Sequence, residues 1–373
     1  MLLKIPKLPL WEGTYQEPDQ GFYKEFNLIF NEKINIFQQT NISKTYYENN
    51  DYKYITQPPG SGEHSNKRGN HIIEILLKYS KNRNLKKILE IGAASDYIIR
   101  GLGKEIYFEE ATLIDPSLKE IENNKIKTFK EYYPSLTIKN EKYDLIYCIN
   151  VLEHIDNPKD FLIKVKNNLN ENGIIIFIFP DVKYRLSIGD VGCLLHEHIN
   201  YFTNKSAASF FENCGFEIID CSSNNDNGEL HICCKVNNFN KKTKRKSNIN
   251  DKEVLDLSNN IALIPNKLEK TTNKFLKWHS KGFKIGFHGA CNALSNFLFL
   301  SNLNHLNNFY IFDGDKLKTD TYLPFSNKKI LHYTNKIYSE MDILFISATN
   351  FSKEIKSDAS KYIDKRKILD LYK

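Results

Sequence analysis

Residues 88–102 read ILEIGAASDYIIRGL, and they give the clearest indication of a fold in the sequence. An apolar run ends near Glu90, a turn containing Gly92 follows, and apolar residues then recur at helical spacing. A strand, a tight turn and a helix in this order begin a βαβ unit, in which the next strand runs parallel to the first. Glycine lets the backbone pass close to a ligand. The segment therefore predicts a nucleoside pocket at the carboxyl end of a buried strand.

Two further strands extend this reading. They are ATLID (111–115) and YDLIYCI (143–149), and each ends in polar residues. Asp115 stands where an acidic residue takes both ribose hydroxyls of an adenosine cofactor. Asn150 and His154 follow the later strand, and the carboxyl ends of parallel strands are where open α/β sheets bind ligands. Each feature alone is weak, because a glycine turn and a surface carboxylate are common, but their order predicts a cofactor site.

Apolar strands and helices continue to alternate along the chain, which predicts an α/β fold with a mostly parallel sheet covered on both faces. A lysine- and asparagine-rich stretch interrupts this alternation, a long helix follows over about 251–280, and a second alternating unit then begins. The predicted divisions are an N-terminal aromatic-rich segment (1–65), a first Rossmann-like domain (66–237), a basic linker and helix (238–280), and a second Rossmann-like domain (281–373).

The motifs in the first domain resemble those of a known family. EIGAASDY (90–97), LIDPS (113–117) and YDLIYCINVLEHI (143–155) resemble the successive motifs of class I S-adenosylmethionine-dependent methyltransferases. The stretch LHEHINYFTNKSAASFFENCGFEIID (195–220) is similar to that of the sugar C-methyltransferases, which act on keto-deoxysugar nucleotides. The resemblance extends over about residues 45–373 and includes the second Rossmann-like domain.

This resemblance implies S-adenosylmethionine as cofactor and a nucleotide-linked keto sugar as substrate, methylated at carbon through an enolate. The residues expected to contact the cofactor are Glu90, Gly92, Ala93, Ser95, Asp115, Pro116, Asn150 and Val151.

Carbon methylation beside a ketone needs a base, and a histidine titrates near neutral pH. By resemblance the base is His198, the last residue of the H-E-H stretch. Glu197 and His154 are expected to line the same pocket, and Tyr54 resembles an active-site tyrosine of the family. Glu153, beside His154, is expected to be a solvated helix residue.

Two departures from the family pattern leave alternatives open. The first 147 residues contain no cysteine, so the usual N-terminal zinc module is absent, and Leu195 stands where the family has a tyrosine. An N- or O-methyltransferase of surface-glycan biosynthesis is the nearest rival. A non-catalytic binding protein is another, because the GAASD turn (92–96) lacks the second glycine that is common in cofactor turns.

Two further patterns in the sequence could indicate a metal site or a dinucleotide site. His196 and His198 alternate along the chain and could bind zinc, but a zinc site needs three or four ligands, so no metal is expected and His196 is expected to pack or cap. GFHGACN (286–292) followed by Asp313 resembles a dinucleotide fingerprint, yet its spacing differs from G-x-G-x-x-G. The family resemblance makes this second domain a holder of the sugar nucleotide or a structural partner.

Composition excludes other classes. The 373 residues are 26% charged and 41% hydrophobic, which is typical of a folded protein. Five of the basic residues behind the net charge of +7 lie in one run at 241–246, so no basic face for nucleic acid is expected. No apolar run is long enough to span a membrane or serve as a signal sequence. Seven cysteines without a C-x-x-C pair indicate a reducing, cytoplasmic environment. The oligomeric state stays open.

Overall fold

The computed structural model defines where these segments lie in space. It describes residues 1–42, 58–60, 62–119, 121, 123–135, 137–225, 228–237 and 251–372.

The described residues form sixteen strands and ten α-helices. The strands are β1 Leu3–Pro9, β2 Tyr23–Asn31, β3 Ile36–Gln39, β4 Lys87–Ile91, β5 Glu110–Ile114, β6 Ile126–Phe129, β7 Tyr143–Ile149, β8 Leu169–Pro180, β9 Asn200–Tyr201, β10 Phe216–Asn224, β11 Glu229–Val236, β12 Ile285–His288, β13 Phe309–Asp313, β14 Ile330–His332, β15 Ile343–Ile346 and β16 Ile368–Asp370. The helices are α1 Glu63–Ser80, α2 Tyr97–Leu102, α3 Pro158–Asn167, α4 Val182–Ser187, α5 Asn204–Asn213, α6 Asp251–Ala262, α7 Ile264–His279, α8 Asn292–Leu300, α9 Asn335–Ser339 and α10 Ser352–Ala359.

A seven-stranded sheet forms the first α/β unit, in the order β10-β11-β8-β7-β4-β5-β6. Strands β4 to β8 pair in parallel, and β10 and β11 pair antiparallel at one edge. Side chains on both faces are buried, for example Ile88 and Leu89 on β4, which explains why these strands read as continuous apolar runs. The predicted Rossmann-like fold is confirmed.

The C-terminal sheet confirms the second α/β unit. Its five strands are all parallel, in the order β14-β13-β12-β15-β16. The single helix predicted over 251–280 is wrong, because α6 ends at Ala262 and α7 begins at Ile264. Pro265 lies in the first turn of α7, where its missing N–H costs nothing, whereas inside one continuous helix it would remove a hydrogen bond.

The N-terminal residues form a third sheet, which the sequence did not predict. Strands β1, β2, β3 and β9 pair antiparallel in that order. In the last pair, Phe37 lies opposite Tyr201 and Gln38 opposite Asn200. This pairing joins the N-terminal segment to the chain directly after the H-E-H stretch.

One apolar core joins the N-terminal and C-terminal sheets. Its buried members include Phe26 of β2, Leu186 of α4, Leu257 of α6 and Phe287 of β12. The C-terminal unit therefore packs against the rest of the chain through side chains that are shielded from water. Within the described ranges, no helix combines the length and apolarity needed to cross a membrane.

Candidate active site

The carboxyl ends of β4, β5 and β7 lie side by side, because β4 pairs in parallel with both of the others. Glu90 precedes the end of β4, Asp115 directly follows β5, and Asn150 directly follows β7. The structure thus brings together the polar residues that the sequence assigned to the cofactor. Their contacts with a cofactor stay a prediction.

The turn after β4 requires glycine for two reasons. Gly92 has a φ of 81°, which L side chains rarely adopt, and a Cβ there would lie 2.3 Å from Cγ2 of Val151. The Gly92 N–H donates to the Ile114 carbonyl oxygen at 2.8 Å, so the turn is fixed to β5. Ser95 holds its far side, since the Ser95 hydroxyl donates to the Pro59 carbonyl oxygen at 2.6 Å.

Glu90 is buried, and the Tyr147 hydroxyl donates to its Oε2 at 2.6 Å. Burial raises the pKa of Glu90 to about 8 because water no longer solvates the charged form. The nearby carboxylates of Asp115 and Asp96 raise it further. A cationic group bound at this strand end would therefore lower the pKa of Glu90 and favour its ionised form.

Asp115 is held in one orientation by its neighbours. Its Oδ1 accepts hydrogen bonds from the backbone N–H of Ser117 at 2.7 Å and from the hydroxyl of Ser117 at 2.6 Å. Its Oδ2 accepts from the Ala94 N–H at 3.3 Å, which ties it to the turn after β4. Ala93 in that turn is buried and Pro116 is half-buried beside Asp115. A preorganised carboxylate of this kind suits a diol ligand.

Arg68 was missed by the sequence reasoning. This residue of α1 donates from Nη2 to the Asn150 side-chain oxygen at 3.2 Å and forms an ion pair with Glu229 at 2.6 Å. Asn150 itself has a φ of 53°, a conformation that asparagine tolerates better than most residues. The contact joins three distant parts of the chain, so no local pattern in the sequence could have revealed it.

The predicted acid–base residues lie together in the structure. The rings of His154 and His198 meet edge to face with their centroids 4.7 Å apart. His154 Nδ1 lies 3.2 Å from the Glu197 carbonyl oxygen. The two segments are also joined through the backbone, since the Ile199 N–H donates to the Glu153 carbonyl oxygen at 2.7 Å.

Burial sets the protonation of this cluster. It lowers the pKa of His198 well below its usual value, and the neighbouring His154 and Arg185 lower it further. Burial raises the pKa of Glu197 to about 7. His198 is therefore a neutral imidazole near pH 7, which can accept a proton.

The expectation for Glu153 is wrong. The side chain is 1% exposed rather than solvated, and neither carboxylate oxygen has a hydrogen-bond partner among the described residues. Burial raises the pKa of this carboxyl to about 8. The short 3-10 turn Leu152–His154 faces the chain around Ile199 rather than water, and periodicity alone could not show this.

His196 points away from this cluster. Its Nε2 lies 3.3 Å from the Lys24 carbonyl oxygen, and its ring meets Phe26 edge to face. It packs against the N-terminal sheet, as expected for a packing residue. Tyr54 lies outside the described residues, so its assignment stays a prediction.

One set of side chains has the donor types of a metal site. A carboxylate oxygen of Glu153 and ring nitrogens of His154 and His198 lie within 4.8 Å of one another. Two histidines and one carboxylate suit a divalent transition metal. This set differs from the His196 and His198 pair that the sequence raised.

Polar groups of the turn before α8 are paired with other residues of the same chain. The Ala290 N–H donates to Asp313 Oδ2 at 2.8 Å, and Lys318 Nζ lies 3.2 Å from the same oxygen. The Asn292 side chain donates to the Gly192 carbonyl oxygen at 2.8 Å, which joins this turn to the first α/β unit. These contacts favour a structural role for this turn over dinucleotide binding.

Residues 64–220 match the model of the family described as Methyltransferase domain. A ubiquinone biosynthesis O-methyltransferase of Rickettsia canadensis is 27% identical over 28% of this chain and 48% of that protein. Its namesake in Rickettsia bellii is 23% identical over 40% of this chain and 70% of that protein. A structure of an S-adenosylmethionine-dependent methyltransferase from Clostridium acetobutylicum is 17% identical, covers 51% of this chain and 98% of its own, and has a TM-score of 0.38.

The chain spans about half the length of the first of these curated relatives. The family match covers β4 to β8 and with them all the strand ends that carry the polar residues. Residues 64–220 are therefore a class I S-adenosylmethionine-dependent methyltransferase domain, with S-adenosylmethionine as its cofactor.

Proposed function

We propose that the protein transfers the methyl group of S-adenosylmethionine to a carbon atom of a nucleotide-linked keto sugar, with His198 as the general base. The observation that carries this proposal is the position of His198. This buried, neutral imidazole contacts His154, which lies four residues after Asn150 at the strand end assigned to the cofactor. A base and a methyl donor would thus meet at one edge of the sheet.

The proposed reaction needs one proton transfer and one methyl transfer. The C–H bond beside the ketone breaks, its proton moves to a ring nitrogen of His198, and the electron pair stays on the sugar as an enolate. S-adenosylmethionine, when bound, would supply the methyl group that the enolate carbon takes, and would leave as S-adenosylhomocysteine. A neutral histidine suits the first step because it accepts a proton without first losing one.

A buried cation beside the cluster supports a nucleotide-linked acceptor. Arg185 forms an ion pair with Asp190 at 2.8 Å and donates to Asn350 of the C-terminal unit at 2.8 Å. Its Nε has no hydrogen-bond partner among the described residues, and its charge lowers the pKa of His198. Guanidinium groups are strong ligands of phosphate oxygens. A diphosphate reaching this arginine would leave its sugar near the histidines.

The test compares two histidine variants. His198→Asn should bind S-adenosylmethionine normally by calorimetry while turnover of a nucleoside-diphosphate 4-keto-6-deoxyhexose falls about 10²–10⁴-fold. His196→Asn is the matched control, because this residue is equally buried but faces Lys24, and it should keep its turnover.

Hydrogen exchange isolates the proton step. In deuterated water with S-adenosylhomocysteine bound, wild type and His196→Asn should exchange the acidic C–H of the sugar, and His198→Asn should not. Equal exchange by His198→Asn and wild type would remove His198 from the role of base.

O-methyl transfer is the second candidate, and the curated relatives favour it because they are named O-methyltransferases. Leu195 is consistent with it, since the tyrosine of the sugar C-methyltransferases is missing there. Instead the Tyr201 hydroxyl donates to the Leu195 carbonyl oxygen at 3.0 Å. Methylation without any C–H exchange, with a product methyl resonance in the O-methyl region of the NMR spectrum, would establish this candidate.

A further inference from the structure

Glu153 has no role in the reaction as described so far. Its carboxylate is as deeply buried as the apolar core, yet within the described ranges neither oxygen accepts or donates a hydrogen bond. Leaving a buried polar group unpaired is costly, and native proteins contain few such groups. The burial of this unpaired carboxylate therefore suggests that it gains an interaction partner during the reaction.

The nearest titratable groups to the Glu153 carboxylate are two histidines. A Glu153 oxygen and the ring nitrogens of His154 and His198 lie within 4.8 Å of one another. The hydrogen bond from the Ile199 N–H to the Glu153 carbonyl oxygen holds the two segments together. The backbone therefore holds the Glu153 carboxylate within 4.8 Å of ring nitrogens of both histidines.

Several other charged and titratable groups also face Glu153. Arg68 of α1 is paired with Glu229 of β11 at 2.6 Å, and its charge lowers the pKa of Glu153 against the larger effect of burial. The Glu197 carboxyl lies near enough to raise the pKa of Glu153 but is not within the set of close donor atoms. The remaining neighbours are the Cys148 thiol of β7 and the Tyr201 phenol of β9, and burial holds both in their neutral forms.

We propose that Glu153 is a positioning residue, whose carboxylate holds His198 as an ion pair when His198 takes the substrate proton. This inference rests on the proposed function. The proton comes from the acceptor C–H, its charge on the imidazolium is balanced by the carboxylate, and it leaves to solvent after the product departs. A buried carboxylate that orients and stabilises an imidazolium has the same role in the catalytic triads of hydrolases.

The burial of Glu153 predicts how turnover depends on pH. Because burial raises the pKa of Glu153 to about 8, the carboxyl is mostly protonated at pH 7 and ionised above pH 8. Only the ionised form can balance the imidazolium. Turnover by wild type should therefore rise with pH from about 6.5 to 9, in the range where this carboxyl titrates.

The experiment replaces Glu153 with glutamine in the full chain. Glu153→Gln should bind S-adenosylmethionine as wild type does, lower the kcat for a nucleoside-diphosphate 4-keto-6-deoxyhexose by about 10²–10⁴-fold, and lose the rise with pH. Glu153→Asp should recover part of the lost kcat and part of the rise of turnover with pH. Glu253→Gln is the matched control, because Glu253 is equally buried but lies in α6, paired with Lys183, and its kcat should not change.

A second measurement needs no turnover. In 15N-histidine-labelled protein with S-adenosylhomocysteine, the ring nitrogens of His198 should change their chemical shifts between pH 7 and 9 in wild type, as Glu153 ionises beside them, but not in Glu153→Gln. This shift decides the matter by itself if the probe sugar is not a substrate.

Three results would overturn the inference. The first is a wild-type kcat and pH profile in Glu153→Gln, and the second is the same response of the His198 ring nitrogens between pH 7 and 9 in Glu153→Gln as in wild type. The third is one equivalent of metal in the wild type that is lost in Glu153→Gln, because the residue would then be a metal ligand. If His198→Asn is inactive while Glu153→Gln is normal, only the role of Glu153 fails. If His198→Asn turns over normally, the proposed function fails as well.

Discussion

Replacing Gly92 with alanine tests the turn after β4, where the cofactor site is proposed. Alanine at a φ of 81° costs about 1–2 kcal/mol, because its Cβ approaches the following carbonyl oxygen. The same Cβ would lie 2.3 Å from Val151 Cγ2, and such overpacking costs about 1–3 kcal/mol more. The free energy of unfolding should therefore fall by about 2–5 kcal/mol.

The chain offers a control for each part of this cost. Gly282 has a φ of 75° and nothing within 4 Å of its Cβ position, so Gly282→Ala should cost only the backbone part, about 1–2 kcal/mol. Val151→Ala removes the clashing methyl group. In a double-mutant cycle it should couple favourably to Gly92→Ala, by about 1–3 kcal/mol.

Urea unfolding of the four variants measures these differences, and calorimetry with S-adenosylmethionine measures the cofactor site. We expect Gly92→Ala to bind the cofactor more weakly than wild type, and Gly282→Ala to bind it normally. Equal destabilisation by the two glycine variants, or no coupling between Gly92→Ala and Val151→Ala, would refute the steric argument.

Two more predictions concern carboxylates near this turn. Asp115→Ala should weaken S-adenosylmethionine binding roughly 10- to 150-fold, because a charge-assisted hydrogen bond contributes about 1.5–3 kcal/mol. Asp313→Ala, at the matching strand end of the C-terminal sheet, should leave the affinity unchanged. Unaltered calorimetric affinity in Asp115→Ala would exclude the ribose contact. Because burial raises the pKa of Glu90 to about 8, the folded chain keeps a proton that the unfolded chain releases near pH 4.5, so this carboxyl makes the free energy of unfolding fall as pH rises from about 4.5 to 8. Glu90→Gln should remove that fall, and a stability difference from wild type that does not change with pH in this window would contradict it.

Local sequence patterns determined the first α/β unit and most of the second. The apolar run at 143–149 is strand β7 over the same residues, and the turn at Gly92 follows β4 as expected. These features depend on neighbours along the chain, since a buried parallel strand must be apolar on both faces and a left-handed turn needs glycine. The order of polar residues at the strand ends was readable for the same reason.

The groups that surround the catalytic candidates are brought there by long-range contacts. Arg68 meets Asn150 and Glu229 from positions 82 and 161 residues away, and Glu153 is buried by the chain around Ile199. The N-terminal sheet was missed because β3 pairs with β9, far along the chain, and because side chains such as Phe26 are buried in a core shared with the C-terminal unit. A residue's burial and charge environment depend on such distant contacts, which hydrophobic periodicity does not record. The sequence alone therefore predicted the strand ends at which these polar residues meet, and long-range packing set the protonation of the residues around them.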